Sequence, residues 1–178
     1  MKLKIGDSAE AFDVSDIHGK NINLDEYRGK KLMLSFYRYA SCPLCNLRVQ
    51  KLIQNYESLD GKGLHLLAFF ESPEESIIRY VGKQKPPFSI IADPERIIYK
   101  KYGVESSWIA FLLSAFTRSY DGINAFFKGF LPGKLEGEIA LLPADFLIDE
   151  NHKISIAYYG KDIGDHLPLD EIESWLLK

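Results

Sequence analysis

Residues 38–49 read RYASCPLCNLRV. The stretch holds both cysteines of the chain, Cys42 and Cys45, with Arg38 and Arg48 on either side. Just before it, LMLSFY (residues 32–37) is a short continuous apolar run, as expected of a strand buried on both faces. Just after it, Val49, Leu52, Ile53, Tyr56 and Leu59 recur at helical spacing, and Pro43 suits a helix's first turn, where its missing N–H costs nothing. The two cysteines therefore stand where a buried strand hands over to a helix. A helix's amino end offers unpaired N–H groups and a partial positive charge. Such a place can lower a cysteine pKa from about 8.5 to about 7 or below, and Arg38 and Arg48 add positive charge. The i, i+3 spacing lets one sulfur attack a partner and the other resolve the mixed disulfide. Zinc would need four ligands, and His18, His65, His152 and His166 are scattered, so no metal is expected. Two inert buried cysteines are the remaining alternative; spacing, position and flanking charge favour a redox dithiol.

Working outward, GKG (residues 61–63) ends the helix and LHLLAFF (64–70) is the next strand. In SPEE, Ser72 is expected to cap a helix running toward Gly82, with Pro73 at its first position and Glu75 completing a capping box. Residues 89–92 form another short strand, and a helix from Asp93 to about Tyr102 stops at Gly103. Toward the amino end, FDVSD (12–16) and the run after it are two extended pieces about a His18-Gly19 turn. Strands and helices in alternation predict an α/β sheet with parallel pairs. Residues 105–134 break the pattern. Trp108, Phe111, Leu112 and Phe116, then Ile123, Phe126, Phe127 and Phe130, predict a helical insertion in two pieces parted by Asp121-Gly122. A hairpin follows, with strands at 145–149 and 154–158, and a closing helix at 170–177 carries Ile172, Trp175 and Leu176 on one face.

The 178 residues suit a single domain, 1–178. The net charge of −3 gives no basic footprint for nucleic acid. No run of about 18 apolar residues predicts a membrane span. The first residues lack a signal-peptide pattern, so a cytoplasmic chain with reduced thiols is the simplest expectation. There is no glycine-rich dinucleotide fingerprint, and no cofactor is expected.

Residues 3–37 (LKIGDSAEAFDVSDIHGKNINLDEYRGKKLMLSFY), 87–104 (PFSIIADPERIIYKKYGV) and 143–154 (PADFLIDENHKI) together resemble the peroxiredoxins, the AhpC/TSA group of thioredoxin-fold proteins. The resemblance covers nearly the whole chain outside the insertion. It implies a thioredoxin-like fold, with a central mixed sheet flanked by helices and a helical insertion at about 105–134. The chain departs from the family's P-x-x-x-T-x-x-C pattern. Cys45 matches the peroxide-attacking cysteine, but Arg38 stands at the proline, Cys42 at the threonine, and the family's distant arginine falls at Pro143. A Cys-x-x-Cys also resembles thioredoxin, where the dithiol faces a cis-proline; the bond from Leu142 to Pro143 fits that place. In thioredoxin the first cysteine attacks, which makes Cys42 the exposed nucleophile and Cys45 the resolving thiol. Thioredoxin's buried aspartate would fall at Ser35, which leaves the proton acceptor unassigned.

Two further residues are candidates beside the thiols. Asp145 can act as a general base, or simply face water at a strand start, and the second reading is preferred. The segment YYGKDIGDHLP (158–168) should lie beside the dithiol and bring Asp162, Asp165 and His166 near it; histidine titrates near neutrality, although a turn there needs no function. The aromatic insertion is expected to pack within the domain or across a homodimer. Contact with a membrane surface, through Arg118, Lys128 and Lys134, is the weakest option. The resulting expectation is a thiol–disulfide oxidoreductase with a peroxiredoxin-like antioxidant role. It would act on a thiol, disulfide or peroxide substrate and be restored by a cellular thiol reductant. One alternative is a hydroperoxide-reducing peroxidase with Cys45 attacking and Cys42 resolving; another is a redox-sensing binding protein.

Overall fold

The computed structural model describes all 178 residues apart from the side chains of Ala115 and Phe116. Its centre is a five-stranded sheet in the order β5-β4-β3-β6-β7, formed by β3 (Lys31–Tyr37), β4 (Leu64–Phe70), β5 (Ser89–Ala92), β6 (Ala144–Ile148) and β7 (Ile154–Tyr159). β3, β4 and β5 are parallel, as the two helical crossovers between them require, while β6 and β7 close the sheet antiparallel. A separate hairpin of β1 (Asp13–Ser15) and β2 (Asn21–Asn23) turns at Gly19, whose φ of +79° suits glycine.

The sheet is covered on both faces, which is why β3 and β4 read as unbroken apolar runs. Alternation along β3 divides the two cores. Leu32, Leu34 and Phe36 face one core with Phe146 and with Tyr99 of α3 (Ile97–Lys101). Met33 and Tyr37 face the other, where α1 (Pro43–Gly61) lays down Cys45, Val49 and Leu52 and α6 (Leu169–Leu176) adds Ile172, Trp175 and Leu176. Val49 and Leu52 are fully buried, worth about 1.5–3 kcal/mol each.

Three local expectations change. Ser72 caps no helix: Pro73, expected at the first helical position, is instead the N-cap of α2 (Glu74–Tyr80) with no side-chain cap bond, and the Ser72 hydroxyl accepts the Ala40 N–H at 2.8 Å. The Asp93 carboxylate does accept helical N–H groups, from Ile97 and Ile98, but α3 begins only at Ile97 because Arg96 is left-handed. The insertion forms α4 (Trp108–Thr117) and α5 (Ser119–Phe127), and the break falls at Arg118, not at Asp121-Gly122. Arg118 leaves the helical region at φ −114° and ψ 15°, with its side chain on Asp121 and Asp162, whereas Gly122 stays within α5. Phe116, expected on an apolar face there, lies outside the described side chains. Among the described residues, no helix is long and apolar enough to cross a membrane.

Candidate active site

The loop between β3 and α1 is held by side chains from around the sheet edge. Asn46 donates to the carbonyls of Ala40 and Cys42 at 2.7 and 3.0 Å, and Gln84 holds the Asn46 side chain at 2.9 Å. This fixes Cys42 as the N-cap of α1, with Pro43 at the first position. The Cys42 sulfur accepts the Cys45 N–H at 3.4 Å, the bond a capping serine or aspartate makes elsewhere. Arg38 Nη1 donates to the same sulfur at 3.5 Å. Its guanidinium lies over the rings of Tyr39 and Phe111, and Nη2 donates to the Ile139 carbonyl.

These contacts divide the two thiols. Burial opposes charge on Cys42, but the hydrogen bond from the Cys45 thiol, the Arg38 charge and the N–H groups of Cys45 and Leu44 outweigh it and bring Cys42 down to about 6. Burial, together with donation to Cys42 and the Cys42 charge, pushes Cys45 well up. The surroundings thus favour negative charge on Cys42 over Cys45.

Cys42 is not exposed, contrary to expectation. Both cysteines are 1% exposed. The cause is the insertion, which folds over the tip of α1 and roofs a hollow of about 300 Å³ with Cys42 and Arg38 at its floor and Phe111, Phe126, Phe130 and Pro132 among its walls. Of the apolar residues expected to pack within the domain or across a dimer, Trp108, Leu112, Ile123, Phe126 and Phe127 are exposed, as are Ile109 and Tyr120.

Pro143 stands just before β6, as expected, but without the cis bond expected of it. No peptide bond among the described residues is cis, so the bond from Leu142 to Pro143 is trans. Leu141 pairs with Ser106, and Leu142 N–H donates to Glu105, so the chain runs extended straight into β6 without reversing. Pro143 lines a different hollow with Tyr159 and Gly160, while the Ile139 carbonyl and Pro132 lie beside Arg38 and Cys42. Arg48 is also turned away: it donates to the Leu167 carbonyl at 2.7 Å, and its charge bears on Asp145.

Asp145 does not face water. It is fully buried, accepts the Ser35 hydroxyl and the Leu167 N–H, and lies 3.0 Å from His166 Nδ1. Burial pushes its carboxyl up, but His166, Arg48 and Ser35 prevail and hold it below the usual aspartate range. The His166 ring packs on Tyr37, which stacks on Phe70. Asp162 and Asp165 bind Arg118, so they fasten the insertion to the last loop. The sequence reading missed Glu71, which ends the apolar run of β4. It is buried at 1% exposure, and that burial, against a bond from Glu138 N–H and two arginine charges, raises its carboxyl to about 7. An acid directly after LHLLAFF was the available signal.

A Cys-x-x-Cys at a strand–helix junction of this sheet is shared by more than one group of thiol proteins. The sequence profile of the AhpC/TSA family matches residues 5–157. The chain belongs to the AhpC/TSA family. As a peroxiredoxin-family member it is a thiol-dependent enzyme. Peroxiredoxin Bcp of Escherichia coli (strain K12) is 27% identical over 154 residues, covering 85% of this chain and 92% of that protein. The crystal structure of peroxidoxin BcpB from Mycobacterium tuberculosis superposes with a TM-score of 0.68 at 15% identity, covering 98% of this chain and 94% of the other. The thioredoxin domain of a thiol-disulfide oxidoreductase from Bacteroides vulgatus gives 0.59 at 17% identity, covering 98% and 99%. These two structural likenesses show the thioredoxin-like fold; the family match goes further.

Proposed function

We propose that the chain is a thiol peroxidase that reduces hydroperoxides, with Cys42 attacking and Cys45 resolving. The observation that carries the order is the convergence of Arg38 Nη1 and the Cys45 N–H on the Cys42 sulfur. Membership of the AhpC/TSA family supports peroxide reduction over dithiol exchange as the reaction class.

The Cys42 thiolate attacks one peroxide oxygen and the O–O bond breaks. The departing alkoxide takes a proton and leaves as an alcohol, or as water from hydrogen peroxide, and Cys42 becomes a sulfenic acid. The Cys45 thiol then attacks the Cys42 sulfur, water leaves and the disulfide closes. Two thiols of a cellular reductant return the pair to the dithiol, in the reducing setting of a cytoplasm. Arg38 supplies the positive charge that favours the thiolate. Asp145 and His166 hold the last loop under α1, and neither touches the reacting sulfur in this reading.

A second reading keeps the peroxidase and reverses the order, because Cys45 stands where the resemblance to the family places the peroxide-attacking cysteine. Stopped-flow mixing with peroxide separates the two. Fast, saturating oxidation that survives Cys45→Ser and is lost in Cys42→Ser is the expected result. The opposite pattern would make Cys45 the attacker. A rate no faster than that of a free thiolate would end the peroxidase reading and leave thiol–disulfide exchange.

A further inference from the structure

Glu71 follows the last residue of β4 and is shut away from solvent. Its Oε2 accepts the Glu138 N–H at 3.0 Å, and its Oε1 has no partner. The backbone comes this close because residue 137 is glycine at φ +63°: a Cβ there would lie 2.6 Å from Glu71 Oε2. Immediately along the chain, the Ile139 carbonyl accepts from Arg38 Nη2, and Arg38 Nη1 reaches the Cys42 sulfur. Residues 137–139 are therefore a strap, tied at one end to Glu71 and at the other to Arg38. A buried carboxyl with one oxygen unpaired is costly, and the peroxide chemistry above does not use it.

We infer that Glu71 is a positioning residue: its carboxyl group anchors the strap at Glu138, and through the Ile139 carbonyl the strap holds the Arg38 guanidinium against the Cys42 sulfur. The inference rests on the reading of Cys42 as the attacking thiolate. It has a distinctive sign. Glu71 is an acid near Arg38, so deleting its charge alone would make the Cys42 thiolate easier to form. Deleting the anchor frees Arg38 and makes the thiolate harder to form. The other charged or titratable groups facing Glu71 are Arg38 after β3, Arg96 ahead of α3, Tyr99 on α3 and Glu138 on the strap.

The test is the pH profile of Cys42 alkylation by iodoacetamide in the full chain, with the modified cysteine identified by mass spectrometry. Glu71→Ala should move the midpoint up by about half to one pH unit, or about three- to tenfold less thiolate at a fixed lower pH. Glu71→Gln keeps an acceptor for Glu138 and should leave the midpoint at or slightly below the wild-type value. Gly137→Ala pushes the strap off an intact Glu71 and should also raise it, which keeps the test alive if Glu71→Ala does not fold. In an Arg38→Met background, Glu71→Ala should add nothing further. An unchanged or lowered midpoint in Glu71→Ala or Gly137→Ala overturns the inference. Alkylation needs no peroxide, so shifted midpoints in a protein without turnover would refute the peroxidase and spare this inference. Modification at Cys45 instead would refute the choice of nucleophile.

Discussion

Ser35 on β3 and Asp145 on β6 stand opposite each other in the antiparallel pairing, and the Ser35 hydroxyl donates to the buried Asp145 carboxylate. His166 and the Leu167 N–H complete its contacts, so Asp145 ties β3, β6 and the last loop together.

Replacing Asp145 by alanine should cost about 3 kcal/mol or more, because three donors lose a buried charged acceptor. Urea unfolding measures it. Because the native pKa of Asp145 is depressed, its contribution is complete above the unfolded value of about 3.9 and fades as the pH falls through the native one. In Asp145→Asn, that acid-side loss should shrink; an unaltered acid transition would contradict the assignment.

Arg38→Met should raise the midpoint of Cys42 alkylation from near 6 by about one pH unit or more, since it removes the nearest positive charge from a buried thiolate. Arg48→Met should leave that midpoint close to wild type and instead loosen the last loop, because its contact is with Leu167. Equal effects from the two arginines would refute the direct contact of Arg38 with the Cys42 sulfur as the cause.

Glu71→Gln should gain stability relative to wild type as the pH rises. Burial raises the native pKa of Glu71 to about 7, so the wild type is favoured below its unfolded pKa and loses that advantage as the pH climbs through 7. Denaturation midpoints at pH 5 and pH 8 test it, and a variant that gains equally at both would refute the buried ionisation.

Gly122 lines the hollow over Cys42 and a Cβ built on it meets nothing within 4 Å. Gly122→Ala should therefore stabilise α5 by up to about 1 kcal/mol. Gly122→Leu should narrow the approach and slow the reaction of Cys42 with a bulky aryl maleimide far more than with iodoacetamide. Equal slowing would mean that the reagents enter by another route.

The amino-acid sequence alone determined the sheet-forming runs, the amphipathic helices and the seat of Cys42 and Cys45 at the start of α1. These depend on residues a few positions apart: side chains alternating along a strand, apolar faces every three or four residues, a proline in a first turn. Only the tertiary structure decided which groups meet the thiols. Ser35 and Asp145 are 110 positions apart, and Arg38 and Ile139 are 101 apart. Nothing in either local stretch says that Asp145 is buried, that Arg38 turns toward Cys42 while Arg48 turns away, or that Pro143 runs trans into β6. Local periodicity reports which side of an element is apolar, whereas the charge and solvent exposure of a sulfur depend on what long-range packing brings over it.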